Sequence, residues 1–276
     1  MKTKIVGILN ITPDSFSDGG RFNSLESASN QLIKVLNEGA KMIDIGAEST
    51  RPNAIKINSQ EEWRRLESIL PHLIKIVRNF NQNKNFDEEE KVLISLDSYH
   101  FDNLYLAHQL GVDVINDVSG LEDKRTVDFI ASKQIKTILM HNQEIKFNDE
   151  ILINRHLGLT NKIINWASDK ILQLENLGLK RDKIIFDPGI GFNKDAFASI
   201  RILKEIDYFR VLNVPLYVGH SRKSFLEQIN LKDENNQALD RDQKTILVSQ
   251  FLAGKNIEYL RVHDVYKNFI AVDNIC

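Results

Sequence analysis

Five short segments hold the side chains of this chain most able to do chemistry. GHSRKSFL (Gly219–Leu226) sets a hydroxyl, a guanidinium and an ammonium side by side at Ser221, Arg222 and Lys223, and RVHDV (Arg261–Val265) adds Arg261 and His263. Either could be a structural ion pair; the two on neighbouring strands would suit a polyanion such as pyrophosphate, with an anion held where the chain after Ser221 turns into a helix. DPGIGF (Asp187–Phe192) combines a carboxylate, a proline that fixes the chain direction and two glycines that let a ligand approach the backbone. It lacks the Lys-Ser/Thr ending of a P-loop, so it is a phosphate cradle only loosely. ESTRP (Glu48–Pro52) joins Arg51 to two hydroxyls and a stiff proline, an anion-contacting turn or equally a surface ion pair. NITPDSFSDGGRF (Asn10–Phe22) is a long Gly, Ser and Asp loop holding Phe16 and Phe22, which a mere turn would not need and a lid would.

Each segment follows an apolar run, and there are eight such runs. IVGILN ends on Asn10, MIDIGAEST carries Asp44 and Glu48, VLISLD ends on Asp97, and VDVIND ends on Asn116 and Asp117. KTILMH (His141), KIIFD (Asp187), PLYVGHSRK and EYLRVHD continue the series. Continuous apolar runs suit parallel strands covered on both faces, and polar C-terminal ends suit the mouth of a (β/α)8 TIM barrel. Helical patterns fall between them, at Leu25–Ala40, Glu61–Phe80 with Pro71 as a bend or break, and Tyr99–Leu110. Further helices are expected at Lys124–Lys133, Thr160–Gly178, Asp195–Asp207 and Arg241–Gly254, with a short one at the end. The polar stretch Asn81–Lys91 reads as a solvated loop.

The length of 276 residues matches the roughly 250 of one such barrel, so the whole chain is read as a single domain. A formal net charge of -2 gives no global field for nucleic acid, and any anion site must be local. The one cysteine, Cys276, permits no intramolecular disulfide. MKTK runs straight into the first strand and no apolar run approaches the roughly 18 residues of a membrane span, so a cytoplasmic protein without membrane partners is expected. His141, His220 and His263 are scattered, without a cysteine or carboxylate cluster, and give no support for zinc.

LNITPDSFSDGG, DIGAESTRP, SLDSY, VINDVSG, LMH, DPGIGF, SRKSF and LRVHDV, in this order and spacing, resemble the dihydropteroate synthase family from Ile5 to Val265. The resemblance implies condensation of 6-hydroxymethyl-7,8-dihydropterin pyrophosphate with 4-aminobenzoate to dihydropteroate and pyrophosphate, through a pterin carbocation. It implies a pterin pocket of Asp97, Asn116, Met140, Asp187 and Lys223. It implies a 4-aminobenzoate subsite of Phe16, Thr50, Arg51, Pro52, Phe192, Ser221 and Lys223, with sulfonamides as inhibitors there. Pyrophosphate would fall to Asn10, Arg51, Arg261 and His263, with Mg2+ near Asn10; the catalytic set would be Lys223, Arg261, His263 and Asp97. Asp14 matches a loop carboxylate of open role, and His141 is read as a packed histidine. A homodimer is implied, the penultimate helix contributing to its interface.

Ala47, Asn53, Asn142, Asn193 and His220 depart from the family pattern without removing a polar group of the pterin pocket. His220 could alter the aminobenzoate end or pack outside it. A pterin-dependent methyltransferase would share the barrel, but transfer to a corrinoid gives no reason for the STRP, Ser-Arg-Lys and Arg-x-His segments together. A non-catalytic pterin-binding paralogue would be expected to lose the two substrate loops, and both are complete here.

Overall fold

The computed structural model describes residues 2–12, 20–48, 56–143, 158–232 and 236–275. Asp14, Phe16, Thr50, Arg51, Pro52 and Asn53 lie outside the described residues, as does the side chain of Phe22. Eight strands alternate with helices: β1 (Lys4–Asn10), α1 (Gly20–Asn37), β2 (Met42–Gly46), α2 (Ser59–Leu66), α3 (Leu70–Lys84), β3 (Leu93–Asp97), α4 (Phe101–Leu110), β4 (Val114–Asp117) and α5 (Lys124–Lys133). The second half runs β5 (Lys136–Met140), α6 (Leu159–Asn176), β6 (Ile184–Asp187), α7 (Ala196–Lys204), β7 (Tyr217–Gly219), α8 (Arg241–Gly254), β8 (Tyr259–Val262) and α9 (Val265–Asp273). All seven strand pairings are parallel, in the order β6-β5-β4-β3-β2-β1-β8-β7. A bridge between Phe186 and Leu216, with Phe186 N–H donating to Pro215 at 2.9 Å, closes β6 on β7 and completes the TIM barrel.

Alternation along each strand divides the side chains between two layers. Outward residues such as Ile43, Ile94, Phe186 and Leu260 form the main core against the helices, while Val6, Met42, Val114, Ile138, Ile185, Tyr217 and Tyr259 fill the barrel's interior. The interior set is the floor on which the site stands. Counting on by two from it reaches Asp44, Asn116, Met140, Asp187 and Arg261, and counting on from Leu93 reaches Ser95 and Asp97. The polar residues therefore enter the lumen because the apolar ones beneath them already face it.

Several local expectations need correction. The long pattern Glu61–Phe80 is two helices, for Pro71 occupies the first turn of α3, where its missing N–H costs no hydrogen bond. Asn81 is no part of a solvated loop: α3 carries it inward, and its amide pairs with both the N–H and C=O of Val92 at 2.9 and 3.0 Å. After β7 the chain forms a five-residue 3-10 turn, Ser224–Gln228, instead of the expected α-helix. Arg222 is held by Asp242 at 2.6 Å on the exposed rim. An anion site made by a helix N-terminus at Ser-Arg-Lys is therefore not what this segment builds.

Candidate active site

At the barrel mouth one guanidinium organises three acidic or amide side chains. Arg261 Nε donates to Asp44 Oδ2 at 2.6 Å and a terminal nitrogen donates to Asp97 Oδ2 at 2.8 Å, while Asn116 Nδ2 reaches the same Asp44 oxygen at 3.0 Å. Asp44 was not among the binding residues expected from sequence. Its phase on β2, two residues after inward Met42, was the signal that it would join them.

Asp187 and Lys223 are the second acid and cation of the pocket, each within the other's electrostatic influence. Asp187 Oδ1 accepts the Gly189 N–H at 2.7 Å, and the turn that makes this possible needs glycine: φ at Gly189 is +68°, and a Cβ there would stand 1.9 Å from the His141 carbonyl oxygen. Lys223 lays its stem across Gly191, donates to the Ile190 carbonyl and holds its ammonium 4.5 Å from the centre of the Phe192 ring. Met140 pairs in register with Asp187 and is buried beside it.

Three carboxylates and two cations share the pocket, which carries one negative charge in excess only when all five are ionised. Burial pushes Asp97 up to about 7, with Arg261 pulling it down and Asp44 pushing it further up. Burial likewise raises Asp187 against the pull of Lys223 and lowers Lys223 to about 8, with Asp187 supporting its charge. Burial opposes the charge of Arg261 too, yet Asp44 and Asp97 hold its pKa above the ordinary arginine value. The pocket is thus poised to accept hydrogen bonds from a ligand rich in N–H donors, which would favour the ionised carboxylates.

Nearer the rim, Ser221 Oγ lies 3.0 Å from His263 Nδ1 and accepts the His263 backbone N–H at 3.3 Å. Asn10 ends β1, with Gly46 beside it in register. Arg261, expected to stand with His263 at the pyrophosphate, reaches inward to Asp44 and Asp97 in this structure.

Not every polar strand end faces the lumen. Asp117 points to the helical side and accepts the Ser119 N–H at 2.7 Å. His141 packs edge-on against Trp166 at 4.8 Å, as a packed histidine would, and burial lowers it to about 3. His220 is fully buried outside the barrel against α8, its Nε2 lying 2.8 Å from Ser249 Oγ and 3.2 Å from the Thr245 carbonyl. Its ring therefore packs behind β7, on the opposite face from Ser221.

The departures Asn142 and Asn193 belong to one contact. Asn193, in the left-handed conformation (φ +48°), donates to the backbone and side-chain oxygens of Asn142 at 2.8 and 3.1 Å, and Asn142 donates to Val118 at 2.8 Å. Beside them Lys194, which sequence reasoning passed over, donates to the carbonyls of His141, Gly189 and Phe192, each at 3.0 Å. Burial lowers it to about 7. Together they strap the Asp187–Phe192 turn to the end of β5, a contact between residues too distant in the chain to read from local pattern.

A profile of the family described as pterin binding enzyme matches residues 6–263. The dihydropteroate synthase of Streptococcus pyogenes is 34% identical over 265 residues, covering 96% of this chain and 91% of its own. The chain belongs to the dihydropteroate synthase family. Among solved structures, the Anaplasma phagocytophilum dihydropteroate synthase with bound 6-hydroxymethylpterin-monophosphate superposes with a TM-score of 0.84 at 38% identity, covering 100% of this chain and 98% of that one. The Xanthomonas albilineans dihydropteroate synthase with 4-aminobenzoic acid gives 0.81 at 27% identity, with 99% and 92% covered. Among the described residues no helix is long and apolar enough to cross a membrane.

Proposed function

We propose that this chain condenses 6-hydroxymethyl-7,8-dihydropterin pyrophosphate with 4-aminobenzoate, giving 7,8-dihydropteroate and pyrophosphate. The observation that carries the reading is the constellation at the barrel mouth of buried Asn116 and Asp187 with partly buried Asp97 and Lys223. The aminopyrimidine edge of a pterin is rich in N–H donors and suits the carboxylates; its ring nitrogen and carbonyl suit Asn116 and Lys223. Met140 supplies apolar wall.

The reaction breaks the C–O bond to pyrophosphate, which leaves with the electron pair, and the carbocation delocalises into the pterin ring. The arylamine lone pair then forms the C–N bond and the surplus proton leaves, so no strong general base is required. Charge grows on the departing pyrophosphate, and stabilising that charge is the catalytic task. Arg261 has five N–H donors, more than its contacts to Asp44 and Asp97 use. When the pterin takes over Asp97, the freed N–H groups can turn to phosphate oxygens. His263 and Ser221 act at the rim, Ser221 also meeting the aminobenzoate carboxylate; Phe192 and Lys223 line that ring's subsite with Phe16, Thr50, Arg51 and Pro52 of the two loops.

Among the described residues no group of three His, Cys, Asp or Glu side chains could hold a metal ion. A single carboxamide at Asn10 fits a Mg2+ whose other ligands are mainly phosphate oxygens and water. Bound there, Mg2+ would neutralise charge on the leaving group.

A homodimer goes with this reading. Leu247 and Phe251 on α8, and Tyr266 and Ile270 on α9, leave apolar side chains exposed one helical turn apart on two helices that pack together. Sedimentation at micromolar concentration as a monomer would remove that part.

The test of the activity is pyrophosphate release by the purified protein. Release that requires the pterin pyrophosphate, 4-aminobenzoate and Mg2+ together supports the reading, and binding of the pterin without release would make the protein a non-catalytic paralogue.

A further inference from the structure

Residues 220 and 221 leave β7 on opposite faces, and both reach the chain that leaves β8. On the inner face Ser221 Oγ takes the His263 N–H. On the outer face the route is longer and its three side chains are buried. His220 Nε2 lies 2.8 Å from Ser249 Oγ on α8, Ser249 Oγ lies 2.6 Å from Asn268 Oδ1 on α9, and Asn268 Nδ2 lies 2.7 Å from the Asp264 carbonyl. His220 and Ser249 are 0% exposed and Asn268 1%.

The chemistry of the partners fixes every proton in this chain. A carbonyl only accepts, so Asn268 turns its NH2 to Asp264 and its oxygen to Ser249. The Ser249 hydroxyl must then donate to Asn268, which leaves its oxygen to accept from His220 and makes Nε2 the protonated nitrogen. Two residues on from His220 the chain is tied to α8 again, for the Arg222 N–H donates to Thr245 Oγ1 at 3.1 Å.

We propose that His220 is a positioning residue for the pyrophosphate end of the site, holding Ser221 at a set distance from His263 through Ser249 and Asn268. This rests on the functional reading above. The Ser221 contact holds the two strand exits on the inner face only; the His220 chain, beside the Arg222 N–H on Thr245, holds them on the outer face and limits their pivoting about each other. The placement of anion donors is where small errors are costly, since a displacement of about 1 Å can lower a rate on the order of a hundredfold. A small side chain at position 220 could not reach Ser249.

The test compares two ligands by calorimetry on wild type, His220→Leu, His220→Gln and Ser249→Ala: a phosphate-free 6-hydroxymethylpterin, and inorganic pyrophosphate with Mg2+ added to protein already saturated with that pterin. Leucine fills similar space without a donor, whereas the glutamine amide nitrogen can stand where Nε2 does. His220→Leu and Ser249→Ala are expected to weaken pyrophosphate about five- to tenfold while holding the pterin within about twofold, and His220→Gln to recover most of the pyrophosphate affinity. Unchanged pyrophosphate affinity in a folded variant, or equal loss of both ligands, overturns the positioning role. If His220→Leu does not fold, Ser249→Ala decides the same comparison. A pterin-saturated wild type that binds no pyrophosphate overturns the functional reading itself.

Discussion

Replacing Asp97 with asparagine should pull stability and binding in opposite directions. The Asp97 carboxylate is 9% exposed and shares Arg261 with Asp44, so one guanidinium serves two buried acids. Burial lifts Asp97 from 3.8 to about 7. A carboxyl whose pKa is raised by folding keeps its proton in the native state where the unfolded chain has lost it. Its contribution is therefore fully present below pH 3.8 and is lost as pH rises to about 7. Integrating between these values, the wild type loses about 2 kcal/mol of stability from this group alone between about pH 5.5 and about pH 8. Asparagine does not titrate, and the variant should lack that slope. Urea unfolding of both proteins at both pH values gives the double difference, in which groups common to the two cancel. The variant should also bind a pterin at least about tenfold more weakly, because an acceptor facing the ligand's donors is gone. Parallel stability losses in the two proteins, or a wild type that gains stability towards pH 8, would refute the reasoning about this carboxylate.

Further outcomes are expected at the pterin, the leaving group and the aminobenzoate end. Asp187→Asn should cost about 2 to 5 kcal/mol of pterin binding, read by calorimetry; an affinity within about threefold of wild type (about 0.7 kcal/mol) removes the assignment. EDTA should stop pyrophosphate release, and Arg261→Ala should lower turnover more than it weakens a pterin lacking phosphates, with equal damage to both counting against a role at the leaving group. Sulfonamides should compete with 4-aminobenzoate, and Pro52→Ser should raise their inhibition constant more than the Michaelis constant of the substrate, since the drug is bulkier at its distal end; an inhibition constant that does not move says otherwise.

The lumen residues were legible in the sequence because β-strands repeat every two residues. Met42 below Asp44 and Val114 below Asn116 place the carboxylate and the amide on the inner face by alternation alone. The same rule sends Asp117, His141 and His220 outward, and a polar strand end by itself does not tell these apart. What stayed hidden depends on contacts distant in the chain. Asn81 reads as solvated until its amide is seen on Val92, and Asn142 and Asn193 look like unrelated departures until one donates to the other. Lys194 carries no local signal, since its three carbonyl partners come together only when the β6 turn meets the end of β5. Pro71 marks a discontinuity in sequence, but whether it bends a helix or begins one is settled by the packing of Leu66 and Leu70 into the same core.

The most direct measurement is the fate of radiolabelled 4-aminobenzoate incubated with the purified protein, the pterin pyrophosphate and Mg2+. Chromatography should show the label moving into dihydropteroate in step with pyrophosphate release, with little product from Asp187→Asn. Label that remains in 4-aminobenzoate, while the protein demonstrably binds the pterin, would contradict the account.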